Sequence, residues 1–165
     1  MGYAIHGTEP TAPEGLSFHR SNWAWPRLAA LCRKLVPEFA EQCKYWTGTQ
    51  GAGLSADAAA KLAERLHLLI ADGTIAEYMC QFHAKRARLP DEPCDACEGS
   101  GRIPRAVAKT PDQLLGWQDT NGEVICLPCL GAGRRQPLTT YRLLDENDVR
   151  DWVSFLRSSG GFCIH

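Results

Sequence analysis

The sequence predicts an α+β protein, predominantly helical, with a helical hairpin and a few short strands. Two adjacent segments carry apolar residues at helical spacing, and a third such segment lies near the end of the chain. Short strand-like runs lie near both ends. The 165 residues are 44% hydrophobic and 22% charged, which is typical of a globular chain. We expect one compact domain over residues 1–165, with residues 91–137 inserted between helices.

Local signals place the helical hairpin within residues 55–87. Ser55 is a favourable N-cap for the first helix, and Gly73 suits the position just after its end. Thr74 and Glu77 have the spacing of a capping box, which predicts that a second helix starts immediately. The two helices are predicted to pack antiparallel.

The remaining elements are shorter. Residues 3–5 and 16–18 are strand-like, and Pro26 suits the first turn of a helix. Asp145 is the predicted cap of the last helix, which residues 162–164 follow as a terminal strand.

Two copies of the pattern C-x-x-C-x-G-x-G dominate the chain. We call residues 94–101 the first knuckle and residues 126–133 the second knuckle. Four thiolates in two such pairs form the ligand set of a closed tetrahedral zinc site, which has no position for an activated water. The glycines suit a tight turn beneath the metal. We therefore expect one structural zinc ion bound by Cys94, Cys97, Cys126 and Cys129.

Two other interpretations of these cysteines stay open at this point. Disulfides are disfavoured because no apolar signal region is expected before the globular sequence. A redox-active pair usually stands at the start of a helix and not in a glycine-rich turn. The other cysteines lack ligand spacing and are predicted to be small buried hydrophobic residues, with a second metal site or a reactive thiol as the alternatives: Cys32, Cys43, Cys80 and Cys163. The five histidines are scattered along the chain.

The repeat resembles the cysteine-rich zinc-binding repeats of DnaJ-type chaperones. The match covers residues 94–133 and includes the four cysteines together with Gly99, Gly101, Gly131 and Gly133. Those chaperones have four repeats and two zinc ions, whereas this chain has two repeats and lacks the His-Pro-Asp tripeptide of the J-domain. The resemblance therefore implies the metal ligands alone and no co-chaperone role.

The chain is also similar, more loosely, to a set of small uncharacterised phage and prophage proteins. The shared features are the aromatic-rich residues 20–25, the helix start at 53–55, the two knuckles and the ending at 159–162. This similarity implies a phage or mobile-element setting and no particular activity.

Arginine and tryptophan side chains supply the candidate interaction surface. The formal net charge of −1 argues against a strongly nucleic-acid-seeking protein. The aromatic residues within 20–46 favour a place in the core, and an exposed interface is the alternative, because arginine and tryptophan are frequent anchors of protein interfaces. We expect Trp23 and Arg27 to face solvent, and Trp25 and Leu28 to face the core. The full set of interaction candidates is Arg20, Trp23, Arg27, Arg102, Arg105, Arg134 and Arg135.

These features favour a non-enzymatic interaction protein stabilised by zinc. No G-x-S-x-G, P-loop, dinucleotide-binding or H-E-x-x-H motif occurs in the sequence. The expected partner is a host or phage protein complex. The most specific function expected is inhibition of a host defence system, as by an anti-CRISPR protein. Two alternatives stay open. One is a thiol oxidoreductase, and the other is a nucleic-acid-binding regulator that uses the arginines following the knuckles together with Trp117 and Tyr141, the arginines being Arg102, Arg105, Arg134 and Arg135. No run approaches the roughly 18 apolar residues of a membrane span, so we expect a cytoplasmic protein, in the host cytoplasm if phage-encoded.

Overall fold

A computed structural model of the protein describes residues 2–43, 46–47, 52–104, 123–137 and 144–165. The chain divides into two compact units, of which the first comprises Met1–Ala84 with Arg142–His165 and the second Lys85–Tyr141. Of the described residues, 48% are helical and 19% lie in strands, which confirms the α+β class without a helical majority. Arg105, Trp117 and Tyr141 lie outside the described residues.

The five helices and eight strands in the described part of the chain are short. In chain order they are β1 (Gly2–Gly7), β2 (Ser17–Ser21), α1 (Trp25–Leu35), α2 (Pro37–Ala40), β3 (Gly53–Leu54), α3 (Ala56–Ala71), α4 (Thr74–Ala87), β4 (Glu92–Pro93), β5 (Arg102–Pro104), β6 (Glu123–Ile125), β7 (Arg134–Arg135), α5 (Glu146–Ser158) and β8 (Phe162–Ile164). None of the helices within these residues has the length and apolar character needed to cross a membrane.

The first unit contains a four-stranded antiparallel sheet in the order β2-β1-β8-β3. Ile5 of β1 lies opposite Phe18 of β2 and Ile164 of β8. All three side chains are buried, whereas the residues that alternate with them face away from the core. The sheet therefore has one apolar face, and its other face is open.

Side-chain caps fix the starts of α3 and α5 as the sequence predicts. The Ser55 hydroxyl accepts a hydrogen bond from the Ala58 amide at the start of α3. After α3, Gly73 has a φ of +83°, which a glycine adopts without strain. At the start of α5, Asp145 and Asp148 form a reciprocal capping box.

The predicted helical hairpin differs in two respects from the structure. At the start of α4 the Thr74 amide donates to Oδ1 of Asp72 at 2.9 Å, so Asp72 supplies the side-chain acceptor. In addition, α3 packs mainly along α5 and not along α4. α4 offers little apolar surface for packing, because it buries only Ile75 and Met79. In contrast, α5 buries five side chains: Val149, Trp152, Val153, Phe155 and Leu156.

Aromatic rings fill the core of the first unit. The ring centroid of Trp152 lies 5.1 Å from that of Trp25 and 5.2 Å from that of Phe162. Trp25 and Leu28 face the core, as predicted, and Trp46 is buried with them. Three of the five tryptophans therefore pack inside this unit.

Two short antiparallel strand pairs build the second unit. β4 pairs with β7, and β5 pairs with β6. The first knuckle lies between β4 and β5 in the chain, and the second lies between β6 and β7. Strand pairing on both sides therefore brings the two knuckles together.

Candidate metal centre

The four knuckle cysteines form one compact cluster of sulfur atoms. The Sγ atoms of Cys94 and Cys126 are 3.7 Å apart, as are those of Cys97 and Cys129. All four Sγ atoms lie within 4.8 Å of one another, and all four residues are buried. In a tetrahedral zinc site with Zn–S bonds of about 2.3 Å, the sulfurs stand about 3.8 Å apart. The cluster therefore has the size of a four-sulfur metal site.

The backbone of each knuckle folds around its first cysteine in the same way. The carbonyl oxygen of Cys94 accepts hydrogen bonds from the amides of Cys97 at 3.3 Å and Gly99 at 3.1 Å. In the second knuckle, the carbonyl oxygen of Cys126 accepts the two corresponding bonds at 3.3 and 3.2 Å. The two repeats in the sequence thus correspond to two equivalent turns.

The last glycine of each knuckle lies where the two knuckles cross. Gly101 and Gly133 have φ values of +77° and +70°, in the left-handed region. A Cβ atom on Gly101 would lie 2.3 Å from the carbonyl oxygen of Gly131, and one on Gly133 would lie 2.2 Å from that of Gly99. The Gly101 amide also donates to Sγ of Cys97 at 3.2 Å. Glycine is therefore required at both positions by conformation and by space.

The clustered thiols differ in acidity. Burial raises the pKa of the Cys97 thiol, but hydrogen bonds from the Gly101 amide and from the other three thiols lower it more, so the net shift is downward. Burial raises the pKa of Cys126, and the neighbouring Cys97 and Cys129 thiols raise it further. Four thiolates in this space need a compensating cation, and a divalent metal would supply that charge.

Arg134 and Arg135, which directly follow the second knuckle, contact residues around the first knuckle. The Arg135 guanidinium lies 2.7 Å from Oδ2 of Asp95 in the first knuckle. The Arg134 guanidinium donates to the carbonyl oxygen of Asp91. Both arginines belong to β7, so these contacts join the chain after the second knuckle to the chain around the first. Arg102 is exposed.

The interaction candidates of the first unit occupy three different environments. Trp23 is 49% exposed, as predicted. Arg27 was expected to face solvent, but it is buried, because α1 also buries residues on both sides of it in the helix. The Arg20 guanidinium lies 2.8 Å from Asp151 Oδ2 and 4.2 Å from the centre of the Phe18 ring. Of these three residues, Trp23 alone presents a large exposed side chain.

The tip of the second knuckle presents a residue that the sequence motif does not mark. Leu130 is 81% exposed and has a φ of +52°. The equivalent residue of the first knuckle is Glu98, with a φ of +49°. The motif specifies only cysteines and glycines, so it predicts no role for the variable position between them.

The remaining cysteines are only partly as predicted. Cys32 and Cys43 are buried in the core of the first unit. Burial raises the pKa of the Cys32 thiol to about 12. Cys80, by contrast, is exposed, and Cys163 is half-buried.

Comparison of the chain with protein families, with curated proteins and with solved structures gives no significant match. The resemblance of the knuckles to DnaJ-type repeats stays a prediction from their residues. The clustering of the four cysteines rests on the structure itself.

Proposed function

We propose that the four knuckle cysteines bind one structural zinc ion. The observation that carries this proposal is the set of four buried sulfurs with 3.7 Å separations. An all-sulfur tetrahedral set suits zinc, and four protein ligands leave no position for a reacting water. Zinc bound here would hold the two knuckles together and stabilise the second unit.

We further propose that the protein acts as a non-enzymatic interaction protein, and that the second knuckle contacts the partner. Leu130 supports this role. A residue with a Cβ in the left-handed region costs about 1 kcal/mol, and here the residue is also a largely exposed leucine. Burial of a leucine side chain against a partner contributes about 2 kcal/mol. Trp23, in the first unit, is a second candidate anchor.

The proposed partner is a protein complex of a host cell or a phage. The net charge of −1 and the contacts of Arg134 and Arg135 with Asp91 and Asp95 favour protein over nucleic acid. Inhibition of a host defence system, in the manner of an anti-CRISPR protein in the host cytoplasm, is the specific form of this proposal. It rests on the loose resemblance to phage proteins that the sequence motifs predict, which stays a prediction.

An affinity experiment with a matched pair of variants tests the interaction role. The tagged, zinc-loaded protein is used to capture partners from host lysate, with and without nuclease. Leu130→Asp is compared with Leu68→Asp, which changes another exposed leucine, on α3 in the first unit. Zinc content and circular dichroism establish that both variants keep the fold.

We expect a stoichiometric protein partner that survives nuclease treatment, is lost with Leu130→Asp and is retained with Leu68→Asp. Recovery of nucleic acid, with every protein lost after nuclease, would instead support the nucleic-acid-binding alternative. A partner retained equally by both variants would show that the second knuckle is not the contact surface.

A further inference from the structure

The open face of the four-stranded sheet carries three of the five histidines of the chain. His6 lies on β1, His19 lies on β2, and His165 directly follows β8. All three are exposed, whereas the residues that precede them on the strands, Ile5, Phe18 and Ile164, are buried. We call the surface formed by His6, His19, His165 and Cys163 the histidine face.

Strand pairing brings these residues together although they are far apart in the sequence. Ala4 lies opposite His19 on one side and exchanges backbone hydrogen bonds of 2.9 and 3.4 Å with His165 on the other. The ring of His6 has its centroid 5.4 Å from that of His165 and 6.1 Å from that of His19. Because Ala4 has only a methyl group, the space between His19 and His165 is not filled by the residue that separates them.

A thiol completes the histidine face. Cys163 is the register partner of His6 and is half-buried. Directly opposite residues of an antiparallel pair have their Cβ atoms about 5 Å apart, so the Cys163 thiol and the His6 imidazole are neighbours on the same face. Imidazole nitrogens and thiol sulfurs suit divalent transition metals, whereas magnesium and calcium take oxygen ligands.

We propose that the histidine face binds one divalent transition-metal ion through His6, His19 and His165. With Zn–N bonds of about 2.0 Å, two imidazoles on one tetrahedral ion have ring centres about 5 Å apart. The observed separations of 5.4 and 6.1 Å are slightly larger. Within the described residues only the four knuckle cysteines bring three or more donor atoms within 4.8 Å. Binding of an ion at the histidine face therefore requires the exposed imidazole side chains to rotate toward one another.

This site is distinct in chemistry from the knuckle cluster. The knuckle donors are buried sulfurs, whereas the histidine face is exposed and rich in nitrogen. An exposed site exchanges its ion with solvent, so the ion at the histidine face is removed under conditions that leave the knuckle zinc in place.

Calorimetric titration with Zn²⁺ tests the proposal on the whole chain. The protein is first loaded with zinc and passed over a chelating resin, which leaves the knuckle site filled. We expect one further Zn²⁺ ion to bind per chain. His19→Ala and His165→Ala should each weaken or abolish this event, whereas His67→Ala, which removes an exposed imidazole from α3, should not.

Nuclear magnetic resonance of the imidazole groups gives a readout that needs no variant. Zn²⁺ should shift the side-chain signals of His6, His19 and His165 and leave those of His67 and His83 unchanged. The proposal is wrong if the zinc-loaded protein takes up no further ion. It is also wrong if the ion binds equally well to the folded His19→Ala/His165→Ala double variant.

Discussion

The backbone amide of Cys94 donates a hydrogen bond of 2.9 Å to the carbonyl oxygen of Gly133, the last residue of the second knuckle. The amide of Cys126 makes the equivalent bond, at 3.0 Å, to Gly101 at the end of the first knuckle. Each knuckle therefore begins against the end of the other. The cluster is closed by this reciprocal backbone pairing as well as by its sulfurs, and the two glycines are part of the candidate metal site.

Replacement of a crossing glycine should damage the metal site. In Gly101→Ala the new Cβ would clash with the carbonyl oxygen of Gly131 at 2.3 Å, in addition to the cost of about 1–2 kcal/mol for a left-handed alanine. We expect a lower thermal stability of the second unit and a large loss of zinc affinity, measured by competition with a chromophoric chelator. Gly133→Ala should behave in the same way, because the arrangement is reciprocal.

Gly73→Ala is the matched control for the crossing glycines. Gly73 also has a positive φ, of +83°, but apart from its own chain neighbours no described residue has an atom within 4 Å of the Cβ position. This variant should therefore lose only the stability that a left-handed alanine costs, and it should keep normal zinc affinity. If Gly101→Ala binds zinc as tightly as Gly73→Ala does, the crossing of the knuckles does not control the metal site.

Removal of the metal should unfold the second unit selectively. Four of the six residues in its buried cluster are the knuckle cysteines, and Ile103 and Val124 are the others. The first unit has a separate core of aromatic and aliphatic residues. At such a site the free energy of metal binding stabilises the folded state. Chelation should therefore abolish the protection of backbone amides from hydrogen exchange in β4–β7 and leave that of β1, β2 and β8 unchanged.

Cys97→Ser should have the same effect as chelation, and Cys80→Ser, at an exposed position on α4, should have none. The thiol oxidoreductase alternative predicts the opposite result. In that case Cys97→Ser would abolish activity but leave the hydrogen-exchange protection of β4–β7 intact.

Features that depend on neighbouring residues were accessible from the sequence. The caps at Ser55 and Asp145 and the turn at Gly73 are local, and the structure confirms each of them. The cysteine cluster follows from spacing, because a C-x-x-C turn fixes the two sulfurs of each pair. The residue that caps α4 was harder to predict, because the side chains of both Asp72 and Thr74 can accept a hydrogen bond at the start of this helix.

Features that depend on long-range packing were not accessible in the same way. The sequence identifies the apolar stripe of α3 but not that its partner is α5, whose first residue is 75 positions beyond the last residue of α3. Arg27 is buried because α1 is covered on more than one side, which helical periodicity does not reveal. The histidine face depends on the register of three strands from opposite ends of the chain.

Thiol reactivity should separate the cysteines by environment. At pH 8 a thiol with a pKa of about 12 is ionised in only about one molecule in ten thousand, and Cys32 is also buried. In the native, zinc-loaded protein we expect a maleimide or disulfide reagent to modify Cys80 first and Cys32 not at all. Mass spectrometry of labelled peptides measures the order.

Cys80→Ser should remove the fast phase of labelling, and chelation should add the four knuckle cysteines to the reactive set. Rapid labelling of Cys32 in the folded protein would contradict its position in the core. Knuckle cysteines that react equally before and after chelation would contradict the metal site.

Loss of the Asp145 cap should destabilise the first unit. Oδ1 of Asp145 accepts a hydrogen bond from the Asp148 amide at 2.9 Å, and Oδ2 of Asp148 accepts one from the Asp145 amide at 3.2 Å. Asp145→Ala removes one of these bonds and should lower the free energy of unfolding by about 1 kcal/mol, measured by urea denaturation.

Asp151→Ala is the control, since it removes a carboxylate from the same helix but only an exposed ion pair with Arg20. Because α5 is the main packing partner of α3, a cap at its first turn stabilises both helices, so the larger effect belongs to Asp145. Equal effects of the two substitutions would show that charge on α5, and not the cap, accounts for the contribution of Asp145.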